Sequence, residues 1–377
     1  MRLLGTSSMR RLMNLRLMLL FGLLLSQADA QTTARVFRAE SAVVLVPTLV
    51  ARMSGEIVYG LTAKDFIVEE EGVEQAITLD ESPGSERISL VVAVQLGGSA
   101  YLNFEARQEW LSGSGDSIPQ ELRHRKAALS GLGTMVGNFI GEAKGEVAIV
   151  AFDSHVELLQ NFSGDLPAVS EKLNQLQGSR DGGAAILDAI SFSLDLLADR
   201  PPGQLRILLL ISETRDHGSK TAKLDGVLKQ VAASNTLVYS VAFHPLRLEL
   251  ARDLKGQNPA PVQAAPPPGL PPQAASPGPN LLGPLLTLAM NSMAKNTTRP
   301  LANLTGGEYR TFSNKRTFDA NLSLLANHVR NRYLISFQPK NPRPGAHVIS
   351  VRLRNSPRDV VVLARNSYWV TVHAPLP

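Results

Sequence analysis

Three short stretches gather the side chains that could hold a ligand: QLGGSA at 95–100, DGGAAILDAI at 181–190 and ISETRDHGS at 211–219. They supply polar groups from Gln95, Ser99, Glu213, Thr214 and Asp216, with Gly97, Gly98, Gly183 and Ala184 as the small residues between them. Carboxylate, hydroxyl and amide oxygens of this kind suit a hard divalent cation. The run Asp216-His217-Gly218-Ser219 also contains the residue types of nucleophilic hydrolysis. Triad members meet in space and not by adjacency, so that run reads as a polar loop closing a strand. Other catalytic signals are missing: there is no GxSxG, HExxH or P-loop, and no GxGxxG opening a helix. The seven histidines, at 124, 155, 217, 244, 328, 347 and 373, include no pair four residues apart, so a helical metal pair is unsupported.

The elements that must position these loops follow from the hydrophobic pattern. ISLVVAVQLG from Ile88, LRILLLIS from Leu205 and TLVYSVAF from Thr236 are near-continuous apolar runs, as expected of parallel strands covered on both faces. GEVAIVAFDSHVELL reads as a strand or hairpin. Between them, Leu129, Leu132, Val136, Phe139 and Ile140 recur at helical spacing. Asp165 is placed to cap a helix with Pro167 in its first turn and Val169, Leu173 and Leu176 on one face. AAILDAISFSLDLLADR, TAKLDGVLKQVAASN and FDANLSLLANHVRN complete a strand–helix alternation. The expected class is α/β: a doubly wound, mostly parallel, Rossmann-like sheet. Its strands end at the three polar loops, where such sheets bind ligands.

Both ends of the chain read as strands. SAVVLVPTLVARM is an extended run whose Pro47 points to an edge or bulge, and a hairpin is expected around Glu71-Gly72. HVISVRLR alternates, with Ile349, Val351 and Leu353 on one face. Neither end is long enough to bury a core alone. The expected organisation is a strand module at 31–84, an α/β domain at 85–332, and strands at 333–377 that pair with the first module into a flanking all-β unit. Residues 256–284 should form a Pro-rich insertion, because ten of the 24 prolines fall between Pro259 and Pro284.

Residues 1–30 read as a signal peptide: Arg2, Arg10, Arg11 and Arg16 precede an apolar core from Leu17 to Leu25, followed by Ala28-Asp29-Ala30. The expected location is extracytoplasmic, periplasmic or secreted, with no stable membrane span after the signal is removed. Losing four Arg and one Asp from 38 basic and 33 acidic residues leaves 34 against 32, a net charge of +2. That balance is no argument for nucleic acid. The sequence has no cysteine, which excludes disulfides and Cys-based zinc sites.

With the three loops, GLTAKDFIVEEEGVEQAI, LANLTGGEYRTF and RNRYLISFQP, the chain resembles the von Willebrand factor A (vWA) family, and within it the exported vWA-related proteins of Acidobacteria. The resemblance implies a metal-ion-dependent adhesion site at the loop face. In the family an Asp-x-Ser-x-Ser motif, a Thr and a further Asp hold the cation. Here Gln95 stands for the first Asp, Gly97 for the first Ser, Ala184 for the Thr and Glu213 for the last Asp; only Ser99 is retained. The resemblance therefore implies a vestigial site, with no cofactor expected and Gln95 hydrogen-bonded to Ser99 or Glu213. On this reading, Gln95→Asp, Gly97→Ser and Ala184→Thr together should restore Mg²⁺ affinity.

The function expected is that of a non-enzymatic, exported bacterial protein-binding or scaffold protein whose partner is another exported or cell-surface protein. The binding face would comprise Gln95, Gly97, Gly98, Ser99, Gly183, Ala184, Glu213, Thr214 and Asp216. A cation-dependent adhesin using Mg²⁺ or Mn²⁺ is the alternative. A hydrolase built on His217, Asp216 or Glu213 is the alternative of another class.

Overall fold

A computed structural model describes residues 43–80, 87–100, 129, 131–140, 145–201, 203–243, 296–340 and 343–370. The signal peptide and the Pro-rich insertion lie outside the described residues.

The strands, in chain order, are β1 (Val44–Arg52), β2 (Phe66–Glu70), β3 (Val73–Glu74), β4 (Ile77–Leu79), β5 (Ile88–Gln95), β6 (Gly145–Phe152), β7 (Val156–Ser163), β8 (Leu205–Ser212), β9 (Thr236–Phe243), β10 (Tyr309–Phe312), β11 (Tyr333–Phe337), β12 (Gly345–Leu353), β13 (Val360–Leu363) and β14 (Ser367–Val370). The helices are α1 (Leu132–Ile140), α2 (Leu166–Asn174), α3 (Ile186–Ala198), α4 (Leu224–Ala233), α5 (Thr298–Thr305) and α6 (Lys315–Arg330).

Six strands form the central sheet in the order β10-β9-β8-β5-β6-β7, parallel except for β7. All eight residues of β5 are buried, because helices cover both faces. Leu90, Val92 and Val94 pack toward α1, α2 and α6, while Val91 and Ala93 pack toward α3, α4 and α5. This two-sided demand explains the continuous apolar run, since no residue of the strand meets water. The capping predicted at Asp165 is present: its carboxylate accepts the Ala168 N–H at 3.1 Å, with Pro167 in the first turn of α2 and Val169 and Leu173 buried. The chain leaves β5 for β6 and β7 on one side, then crosses to the other side for β8, β9 and β10. This reversal opens a crevice at the C-terminal ends of β5 and β8. Antiparallel β7, the outermost strand there, pairs with β6 through register shifts on either side of Ile149.

Two antiparallel four-stranded sheets, β13-β1-β11-β4 and β14-β12-β2-β3, enclose a second core that includes Val46, Phe66, Val68, Ile335 and Phe337. Each sheet mixes strands from before residue 80 and after residue 332. The hairpin at Glu71-Gly72 forms, with both turn residues at positive φ, 48° and 81°. That is the geometry of a type I′ turn. Pro47 departs from the sequence expectation, because β1 is an inner strand and not an edge. It is tolerated because Pro47 pairs with Leu334 of β11, whereas β13 begins its pairing only at Leu49. The missing N–H therefore falls where no ladder needs it.

The two cores meet at a buried polar cluster. His328 on α6 places Nδ1 at 2.9 Å from the Glu308 carboxylate and Nε2 at 3.2 Å from the Gly55 carbonyl oxygen. Arg332 donates to Tyr239 Oη at 2.9 Å and to the Pro47 and Leu363 carbonyl oxygens, both at 3.4 Å. Burial alone pushes the Glu308 carboxyl up. The His328 hydrogen bond and the charges of His328, Arg332 and Arg310 outweigh it and hold the group below its ordinary value. A carboxyl so held stabilises the fold above the unfolded-state value, about 4.3. That contribution is lost as the pH falls through the folded-state value. Denaturant midpoints followed from about pH 7 to about pH 3 should fall on acidification, and fall less in Glu308→Gln. His328→Ala should cost about 3 kcal/mol at neutral pH, because it strips a buried carboxylate of one of its two nearest partners.

Candidate functional site

The C-terminal ends of β5 and β8 bring Gln95 and Glu213 together, since the two strands run in parallel register as far as Val94 and Ile211. Gln95 is fully buried and Glu213 is 7% exposed. Gln95 Oε1 accepts the Glu213 N–H at 2.9 Å, which fixes the orientation of the amide. Its Nε2 then donates to Glu213 Oε1 at 3.2 Å and to the Gly97 carbonyl oxygen at 3.0 Å. Ser99 Oγ donates to Glu213 Oε2 at 2.6 Å, and His217 Nε2 makes a short contact with Oε1. Gln95 thus bonds to Glu213 and not to Ser99, and three donors converge on one carboxylate.

The glycines explain how the loops close so tightly. A Cβ on Gly97 would lie 2.5 Å from the Asp153 Cβ and 2.7 Å from the Asp181 carbonyl oxygen. One on Gly183 would lie 2.6 Å from the Ser154 Cβ, and Gly98 takes φ +58°. Backbone bonds stitch the loops together: Gly98 N to Asp181 O at 2.7 Å, Ser179 N to Leu96 O at 2.9 Å and Ala185 N to Asp153 O at 2.7 Å. Ala184 is fully buried in the core beneath α3, and its carbonyl oxygen accepts the His217 N–H at 3.1 Å.

Thr214 is half-buried, and its carbonyl oxygen accepts the Thr297 N–H at 2.7 Å. Asp216 serves the frame: Oδ1 accepts the Leu187 N–H in the first turn of α3 at 3.0 Å and the Ser219 hydroxyl at 2.5 Å. The Asp216-His217-Ser219 run is therefore not wired as nucleophile and base. Ser219 donates to Asp216, and His217 faces Glu213.

Sequence reasoning passed over a second polar group on the same edge. Asp153, His155 and Asp181 bring ligand atoms within 4.8 Å of one another. Both carboxylates already hold loops in place. Asp153 accepts from Ser179 Oγ at 2.9 Å and from the His155 N–H at 2.9 Å. Asp181 accepts from Ser154 Oγ at 2.7 Å, the Gly183 N–H at 2.7 Å and the Ser154 N–H at 3.2 Å. The Ser154 hydroxyl, followed by the Gly183 N–H, holds the Asp181 carboxyl below its ordinary value. The signal that could have found the group was the polar Asp153-Ser154-His155 turn directly after a buried strand.

At the position where the resemblance puts a cation, donors already surround the Glu213 carboxylate. The Gln95 amide turns its N–H toward Glu213, and Ser99 and His217 direct donors at the same carboxylate.

Residues 111–215 match the family model of the von Willebrand factor type A domain. Similar solved structures include the conserved hypothetical protein BatB from Bacteroides thetaiotaomicron, 11% identical over 64% of this chain and 98% of that one, with a TM-score of 0.37. The PilB minor pilin from Streptococcus sanguinis is 11% identical over 67% of this chain and 63% of that one, with a TM-score of 0.39. The vWF domain of the type V pili tip protein Mfa5 from Porphyromonas gingivalis is 12% identical over 35% and 39%, with a TM-score of 0.25. No curated protein matches the chain.

The crowding at Gly97 revises the restoration expected from sequence. Gly97→Ser, alone or with Gln95→Asp and Ala184→Thr, should destabilise by about 1–3 kcal/mol through overpacking, before any cation binds. Thermal denaturation of the single and triple variants checks this. An unchanged Gly97→Ser midpoint would mean that the loops open to admit the side chain.

Proposed function

We propose that the chain is an exported, non-enzymatic protein-binding or scaffold protein, working in the periplasm or outside the cell. On this reading its loop face contacts another exported or cell-surface protein without a divalent cation. The observation that carries the proposal is the Glu213 carboxylate, satisfied by Gln95, Ser99 and His217 in place of a metal. The vWA match supports a protein partner, and the half-exposed His217 ring beside Thr214 offers that partner a polar contact. Among the described residues no helix is long and apolar enough to cross a membrane. Against hydrolysis, the hydroxyls of Ser99 and Ser219 are each committed to a carboxylate and not to His217.

Two measurements test the reading. The thermal midpoint should stay unchanged in millimolar Mg²⁺ or Mn²⁺, whereas a bound ion at tenfold excess over Kd would add about 1.4 kcal/mol. Partners captured from the exported protein fraction should be retained in the presence of a chelator and lost in a variant carrying His217→Ala and Thr214→Ala. A midpoint that rises with Mg²⁺, or capture abolished by chelator, would replace this reading with that of a cation-dependent adhesin.

A further inference from the structure

At the pole opposite the loop face, where β8 and β9 begin, a cavity of about 240 Å³ lies between the base of the central sheet and strands β1 and β11. Its walls are mixed. Leu45, Leu237 and Leu334 supply apolar surface, and Arg206, Arg332 and Arg365 supply three guanidinium groups. Among the described residues no acidic one lines it.

The charges around this space do not balance. Arg365 is 6% exposed and forms no ion pair among the described residues. Its guanidinium is held by the carbonyl oxygens of Ser367, Ala232 and Ser234 at 2.9, 3.2 and 3.1 Å and by Asn235 Oδ1 at 2.5 Å. Burial pulls its pKa down to about 10. Arg206 donates to the Arg200 carbonyl oxygen at 2.5 Å and likewise has no carboxylate partner among the described residues. Burial, then the nearby Arg200 charge, lowers its pKa. Among the described residues Glu308, at 3.9 Å, is the one carboxylate that Arg332 reaches, and it also serves His328 and Arg310. Two lining residues keep a polar atom without a hydrogen-bond partner, Nη2 of Arg332 and Oγ1 of Thr236.

A buried cation without a counter-ion, as at Arg365, is costly, and the cost is offset when an anion enters beside it; Arg206, partly exposed, stands at the same cavity. We propose that this cavity is a binding site for a small organic anion, a carboxylate on a short apolar body. The carboxylate would sit on the Arg206 side and the body against Leu45, Leu237 and Leu334. Guanidinium groups suit a carboxylate because their planar fork can bond both oxygens. The cavity is smaller than the roughly 300–1,000 Å³ of drug-sized pockets, which restricts the body to a short chain or a single ring. A ligand there would touch both cores and fasten one to the other. The inference is independent of the loop-face reading.

The test is calorimetric titration of the full chain with hexanoate, with hexanol and inorganic phosphate as controls. Hexanoate should bind saturably and raise the thermal midpoint, and hexanol should do neither. Arg206→Gln should weaken hexanoate at least about tenfold, or about 1.4 kcal/mol. Arg206→Lys should recover part of the affinity, and Glu157→Gln, exposed on β7 and outside the cavity, should leave it unchanged. The inference is overturned if hexanoate gives no saturable heat, if hexanol binds equally well, or if Arg206→Gln binds as the natural chain does. Phosphate binding without hexanoate binding would also overturn it, in favour of an inorganic anion.

Discussion

Glu308, 5% exposed at the start of β10, must be matched or the region cannot close. The groups that match it also reach the other core. His328 and Arg332 face it from the end of α6 and just beyond, and the same side chains reach the carbonyl oxygens of Gly55 and Pro47 around β1. One buried charge therefore sets the spacing between the α/β sheet and the paired antiparallel sheets. An apolar contact would tolerate a slide of one side chain past another. Hydrogen bonds to a carboxylate do not, because their energy falls steeply with distance and angle.

Glu213 poses the same problem at the opposite edge of the sheet, with a different solution. A buried carboxylate must be matched by donors or by positive charge. Here an amide, a hydroxyl and an imidazole share the work. The Gln95 carbonyl oxygen is tied to the Glu213 backbone N–H, so the amide cannot turn to offer an oxygen to an ion without losing that bond. At Gly97 and Gly183 the loops approach so closely that neither position admits a side chain without a shift.

Much of this architecture is legible in the residues themselves. The unbroken apolar stretches at Ile88, Leu205 and Thr236 announce strands covered on both faces, and Asp165 with Pro167 announces the start of α2. Pro47 was harder to place, because a proline reports a missing donor without saying which neighbour is absent. At the loop face the residue types drew attention to Gln95 and Glu213. The supporting part of Asp153 and Asp181 depends on which loops abut in three dimensions, and no spacing along the chain encodes that. The same holds for the cavity, whose arginines are spread from Arg206 to Arg365 and meet only through the fold.

The register shifts between β6 and β7 have a consequence for association. A sheet that ends in a flat, regular strand is a template for any other strand, including one from a second copy of itself. The irregular pairing about Ile149 bends and twists β7, so its outward N–H and C=O groups fall out of step with those of an incoming chain. At the opposite end, β10 is only four residues long, too short to seed an extended ladder. Backbone zippering is thus discouraged at both margins of the central sheet. Any strand added there would have to be held by side chains, which discriminate in a way that backbone pairing does not.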